Sequence, residues 1–110
     1  MYALLFAGVF VVYLPFVHGD ISWLDGGHLT AAAAELGVPH ATGFPLFVLC
    51  GHALTLLPLG SVAFKVALLS SLSIAGATTL VLAIARQNGA KPWPALVGSL
   101  VFPLTFQVWL

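Results

Sequence analysis

The stretch AFKVALLSSLSIAGATTLVLAI, residues 63–84, decides the fold class. Its 22 residues carry a single charge, Lys65, close to the start. As an α-helix they reach about 33 Å, at about 1.5 Å per residue. The hydrocarbon core of a bilayer is about 30 Å thick, so this segment is long enough to cross it. The rest of the chain agrees. Of its 110 residues, 61% are hydrophobic and 5% are charged, and the mean hydropathy is +1.12. About a quarter of a soluble domain is charged. Too few charges remain here to cover a water-facing surface, and an all-α integral membrane protein is expected.

Working outward, Tyr2 to Val17 holds no charge and reads as a retained spanning helix or as the apolar part of a signal peptide. A signal peptide opens on a basic region. None is present, so a retained helix is expected, with Pro15 marking its kink or exit. Phe44 to Leu57 is apolar, with Pro45 suited to a first helical turn and Pro58 as a stop. A helix of roughly 13 residues is only about 20 Å long, too short to span, and this one carries His52. It reads as interfacial or re-entrant. A further span starts near Pro94 and runs to Leu110. Met1 is followed at once by apolar residues, and Leu110 falls inside the apolar run 96–110. The chain therefore reads as the N-terminal piece of a longer protein, inactive alone.

Charge sets the expected topology. Arg86 and Lys91 flank Gln87-Asn88-Gly89-Ala90, which places that turn in the cytoplasm by the positive-inside rule. With Phe44–Leu57 not spanning, region 18–62 faces the other side. About three transmembrane helices are thus expected, at 1–17, 63–85 and 92–110, with a cytoplasmic turn at 86–91. Two short membrane-interfacial helices, about 28–36 and 45–57, lie in the outer loop. The first rests on the helix-forming run Ala31 to Ala34 and should end on Gly37. His28 and Glu35 share one of its faces, and Leu29 and Leu36 share a neighbouring one. In the span 63–85, small residues (Ser70, Ser71, Ser73, Gly76, Ala77) suit close helix packing in lipid.

All three acidic residues, Asp20, Asp25 and Glu35, fall within 16 residues of the outer loop. Asp25 sits in Trp23-Leu24-Asp25-Gly26-Gly27-His28. It reads either as a helix N-cap or as a carboxylate held at the membrane boundary for chemistry. Asp20 reads as a cap or a solvated charge, and Glu35 as solvated or facing headgroups. His18, His28, His40 and His52 have none of the spacings of a zinc site, so no metal is expected. His40 stands in a turn near where Asp25 could fold back, and His52 reads as interfacial or packed. Gly26-Gly27 lacks the strand and Lys context of a phosphate loop. Lys65 either snorkels to headgroups or meets a lipid-linked phosphate. Cys50 alone excludes an internal disulfide and a Cys-based zinc site. A net charge of zero argues against nucleic acid as a partner.

Three motifs in order carry a resemblance. Asp25-Gly26-Gly27-His28 precedes the alanine run. Leu36-Gly37-Val38-Pro39-His40-Ala41-Thr42-Gly43-Phe44-Pro45-Leu46 follows it. Then come Leu57-Pro58-Leu59-Gly60-Ser61-Val62-Ala63-Phe64-Lys65-Val66 and Leu68-Leu69-Ser70-Ser71-Leu72. Over roughly residues 15–110 this series resembles a membrane family related to protein O-mannosyltransferases, similar to the GT-C glycosyltransferases. His28 stands where that family commonly has Glu, Ala41-Thr42 where it has Pro-Pro, and Lys65 where it has Arg. The resemblance implies a partial GT-C-like module taking a sugar, mannose in that family, from a polyprenyl-phosphate carrier to a hydroxyl of a protein or glycan. It implies Asp25 as the base or acceptor-orienting carboxylate, with His28, His40 and Lys65 as substrate-binding residues and no cofactor. The alternatives read from the residues are a non-enzymatic lipid-carrier binder, transporter or flippase-like protein, and a structural assembly module.

Overall fold

A computed structural model describes residues 1–17, 26–41 and 43–105. Among the described residues every regular element is helical. They are α1 (Tyr2–Tyr13), α2 (Gly26–Glu35), α3 (Pro45–Thr55), α4 (Val62–Gln87) and α5 (Pro92–Val101). One helix, α4, with 26 residues, is long and apolar enough to cross a membrane. The apolar helices at either end are shorter, Tyr2–Phe16 and Pro92–Leu104 with their closing turns. A 3-10 turn, Leu14–Phe16, closes α1, and another, Phe102–Leu104, closes α5. Each holds a proline, Pro15 or Pro103, whose missing N–H breaks the α-helical ladder. Each terminal helix with its turn is then about 20 Å long.

The chain divides into two compact units. The first comprises residues 1–14 and 71–110. Its core is apolar: Leu5, Val9 and Tyr13 from successive turns of α1, Ala75 and Leu82 of α4, and Ala95 of α5. The packed face of α4 runs through Ser71, Ala75, Thr78 and Leu82. Of the small residues nominated by the sequence, Ser71 lies on that face, whereas Ser70 and Ser73 are exposed. Two polar side chains buried here satisfy themselves locally. Thr78 Oγ1 donates to Ile74 O and Ser99 Oγ to Leu96 O, both at 2.8 Å. The Tyr13 hydroxyl donates to the Pro103 carbonyl.

The second unit comprises residues 15–70 and contains α2, α3 and the start of α4. Here α2 presents Ala32 and Ala33 inward, and α3 meets it with Val48 and Gly51. A Cβ added to Gly51 would lie 2.9 Å from Ala33 Cβ, so the two backbones approach as closely as small residues permit. The outer face of α3 is Leu46, Leu49, Cys50, Ala53 and Leu56, all exposed, while His52 and Thr55 turn inward, half-buried. An exposed outer face this apolar is the reverse of a helix packed in water.

The helix ends follow from local chemistry, with one departure. Gly89 takes φ +85° after α4, and Ala90 N–H reaches back to Ala85 O at 3.0 Å, a Schellman closure. At the end of α2 the left-handed residue is not the expected Gly37 but Leu36, with φ 55°. Gly37 instead sends its N–H to Ala32 O at 2.9 Å. The five-residue reach of that bond puts the left-handed position one residue before the donor. Between α2 and α3, His40 O accepts the Gly43 N–H at 2.8 Å, and Phe44, with φ 41°, delivers the chain to Pro45.

Candidate functional site

Asp25, the residue nominated for catalysis, lies outside the described residues, as do Asp20 and His18. In sequence Asp25 directly precedes Gly26, the first residue of α2. The nominated histidines come together. His28, in the first turn of α2, and His40, in the turn before α3, stack edge to face with ring centroids 5.7 Å apart. Both are exposed. Twelve residues separate them in sequence, and the chain after α2 doubles back toward the start of that helix to bring His40 beside His28. Such a pair can donate or accept through its ring nitrogens and can face a phosphate or sugar hydroxyl.

Lys65, in the first turn of α4, is 9% exposed. Its ammonium donates to Thr55 O, the last residue of α3, at 2.9 Å. One of its three N–H donors is thereby used, and the positive charge sits at the negative end of the α3 dipole. His52 was read as a packed or interfacial side chain. It is half-buried, and its Nδ1 lies 2.9 Å from Ala33 O. Sequence reasoning missed this link. The hint available was His52 directly after Gly51 on an otherwise apolar helix. Glu35, the last residue of α2, is exposed. Among the described residues no three His, Cys, Asp or Glu side chains converge as a metal site would require.

Residues 25–110 match the protein O-mannosyl-transferase TMEM260 N-terminal domain family. The chain belongs to that family. It is similar to the mouse (Mus musculus) protein O-mannosyl-transferase TMEM260, at 45% identity over 75 residues. That alignment covers 67% of this chain and 10% of the mouse protein. The Dictyostelium discoideum protein O-mannosyl-transferase tmem260 is 26% identical over 110 residues, 97% of this chain and 13% of its own. The chain therefore spans about a tenth of the length of these curated relatives. No solved structure matches it. The family and the apolar α4 fit a membrane protein.

Proposed function

We propose that this TMEM260 N-terminal domain is the leading part of a membrane mannosyltransferase drawing on a polyprenyl-phosphate sugar. The observation that carries the reading is the family match, which begins at Asp25 and includes both histidines and Lys65. In the proposed step the acceptor hydroxyl oxygen bonds to the sugar's anomeric carbon. The bond from that carbon to the carrier phosphate breaks, and its electron pair leaves with the phosphate. Asp25 takes the hydroxyl proton, which requires it to stand about 2.6–3.2 Å from the acceptor oxygen. His28 and His40, edge to face beside the start of α2, bind the sugar phosphate. The ammonium of Lys65, with two donors beyond the one given to Thr55, steadies the departing phosphate.

The same reading sets the topology. Residues 63–85 cross the bilayer, and the Arg86–Lys91 turn is cytoplasmic. The loop 18–62 lies on the opposite side, with α2 and α3 along the membrane surface. The exposed leucines of α3 support this, since a lipid-facing surface needs no polar cover. The acceptor is a protein or glycan hydroxyl.

The test is mannose transfer from a radiolabelled polyprenyl-phosphate donor, using membranes that carry the longer protein containing this chain. Asp25→Asn at normal protein level should lower the rate by about 10²–10⁴-fold, the usual share of a general base. An unchanged rate would reduce Asp25 to a helix cap. Absence of transfer by the wild type would put the lipid-carrier binder ahead.

A further inference from the structure

In the second unit the ends of two helices are closed by side chains from the next helix along. The last four carbonyls of a helix have no partner within it. In α2, Ala32 O takes the Gly37 N–H, and Ala33 O takes His52 of α3. In α3, His52 O takes Thr55 Oγ1 at 2.7 Å, Ala53 O and Leu54 O take the N–H groups of Leu56 and Leu57, and Thr55 O takes Lys65 of α4. His52 closes α2 from α3, and Lys65 closes α3 from α4.

The His52 contact also fixes a tautomer. A carbonyl oxygen only accepts, so Nδ1 carries the hydrogen and donates it to Ala33 O. The bond lies where the two helices are closest, because Ala33 is fully buried and faces the neighbouring Gly51. Five residues before Ala33, about 7.5 Å along the same helix, stands His28. Five residues before α3 stands His40. His40 lies in the turn leading into α3, so the seating of α3 on α2 limits where that ring can stand relative to His28. Lipid chains do not choose the register of α2 on α3, since they are as apolar as the leucines of α3, and packing and hydrogen bonds must.

We propose that His52 is a positioning residue for sugar transfer: its Nδ1–H bond to the Ala33 carbonyl holds α2 and α3 in the register that brings His28 and His40 together. The inference rests on the proposed function for its consequence in catalysis, but the register itself can be read without activity.

Two readouts on the longer protein in native membranes test it. The first uses paired His28→Cys and His40→Cys substitutions in a background cleared of other cysteines, Cys50→Ala included, and follows cross-linking by a short bis-methanethiosulfonate. His52→Leu should slow cross-linking by about tenfold, the worth of one good hydrogen bond. His52→Asn, whose amide N–H lies near the place of Nδ1, should restore it. Equal rates in all three would overturn the proposal. Loss in His52→Asn as well as His52→Leu would overturn the assignment to this bond. If the leucine variant does not accumulate, the asparagine variant decides, wild-type cross-linking supporting the proposal and its loss refuting it. The second readout, with His28 and His40 intact, is mannose transfer. His52→Leu should lower kcat/KM for the donor by about tenfold, mainly through a higher KM because His28 and His40 bind the sugar phosphate, and His52→Asn should recover it. A wild type that cross-links as expected but transfers no sugar would refute the proposed function and leave the positioning role standing.

Discussion

The two units solve the same problem, holding apolar helices together, by different means. In the unit of α1, the later part of α4 and α5, side chains such as Leu5, Val9 and Leu82 interlock. Its buried Thr78 and Ser99 spend their hydroxyls on their own helices. The Tyr13–Pro103 bond joins α1 to the turn after α5, at the edge of that packing. In the unit of α2, α3 and the start of α4, the closest approach is between Ala33 and Gly51, with Val66 and Leu69 beside them, and residues as small as alanine and glycine offer little to interlock. Polar side chains cross between helices there. Interlocked apolar packing tolerates modest slippage, because one apolar neighbour substitutes for another. A hydrogen bond to one particular carbonyl does not. The histidine pair lies in the unit built the second way, as a site needing a fixed separation would require.

The largest effect that could break this comparison is expected in the first unit. Leu82 is fully buried, and Leu82→Ala should cost about 2–5 kcal/mol through lost contacts and a cavity, read as thermal unfolding of the detergent-solubilised longer protein. Thr78 is equally buried, yet Thr78→Val should cost no more than about 1 kcal/mol, because Ile74 O keeps its bond within the helix. Were Thr78→Val the costlier, the hydroxyl would be serving another helix and the contrast between the units would fail.

Next comes Gly51. Its added Cβ would stand 2.9 Å from Ala33 Cβ, closer than real carbons approach, and both belong to helix backbones that cannot yield alone. Gly51→Ala should cost about 1–3 kcal/mol and slow cross-linking between positions 28 and 40. Adding Ala33→Gly removes the opposing methyl and should restore cross-linking, less the cost of about 1 kcal/mol for glycine inside a helix. Failure of the pair to recover would mean that the close approach does not set the register.

How much of this could be read beforehand differs along the chain. Pro45 and Pro58 framed α3, and the charge-poor run through Ile84 announced α4, because proline and uninterrupted apolarity act locally. At the two ends the composition stays apolar through Pro15 and Pro103, although the backbone does not stay α-helical there. The meeting of His28 with His40 followed from no spacing rule. It depends on the chain after α2 doubling back toward the start of that helix, and nearly uniform apolarity hides which face of α3 turns inward. The bonds from His52 and Lys65 were harder still, since every residue offers a carbonyl and only the assembled backbone leaves particular ones open. Asp25 was nominated by its polar surroundings and by family resemblance, and its test remains chemical.

The smallest effect compares how the two units end a helix. After α4 the left-handed position is filled by Gly89, with φ +85°. After α2 the same kind of position is filled by Leu36, with φ 55° and its side chain 53% exposed. A side chain in left-handed backbone costs about 1–2 kcal/mol, and glycine avoids this at an entropic cost of about 0.5–1 kcal/mol in the unfolded chain. Gly89→Ala should therefore destabilise by about 1 kcal/mol. Leu36→Gly should stabilise by a few tenths of a kcal/mol, little burial being lost. The sign is the test, read as a shift in thermal unfolding with each substitution made alone. If Leu36→Gly destabilises instead, the exposed leucine is held by something that offsets its strain, and a membrane surface touching the end of α2 is the contact to look for. Adding lipid to the detergent-solubilised protein should then enlarge the loss.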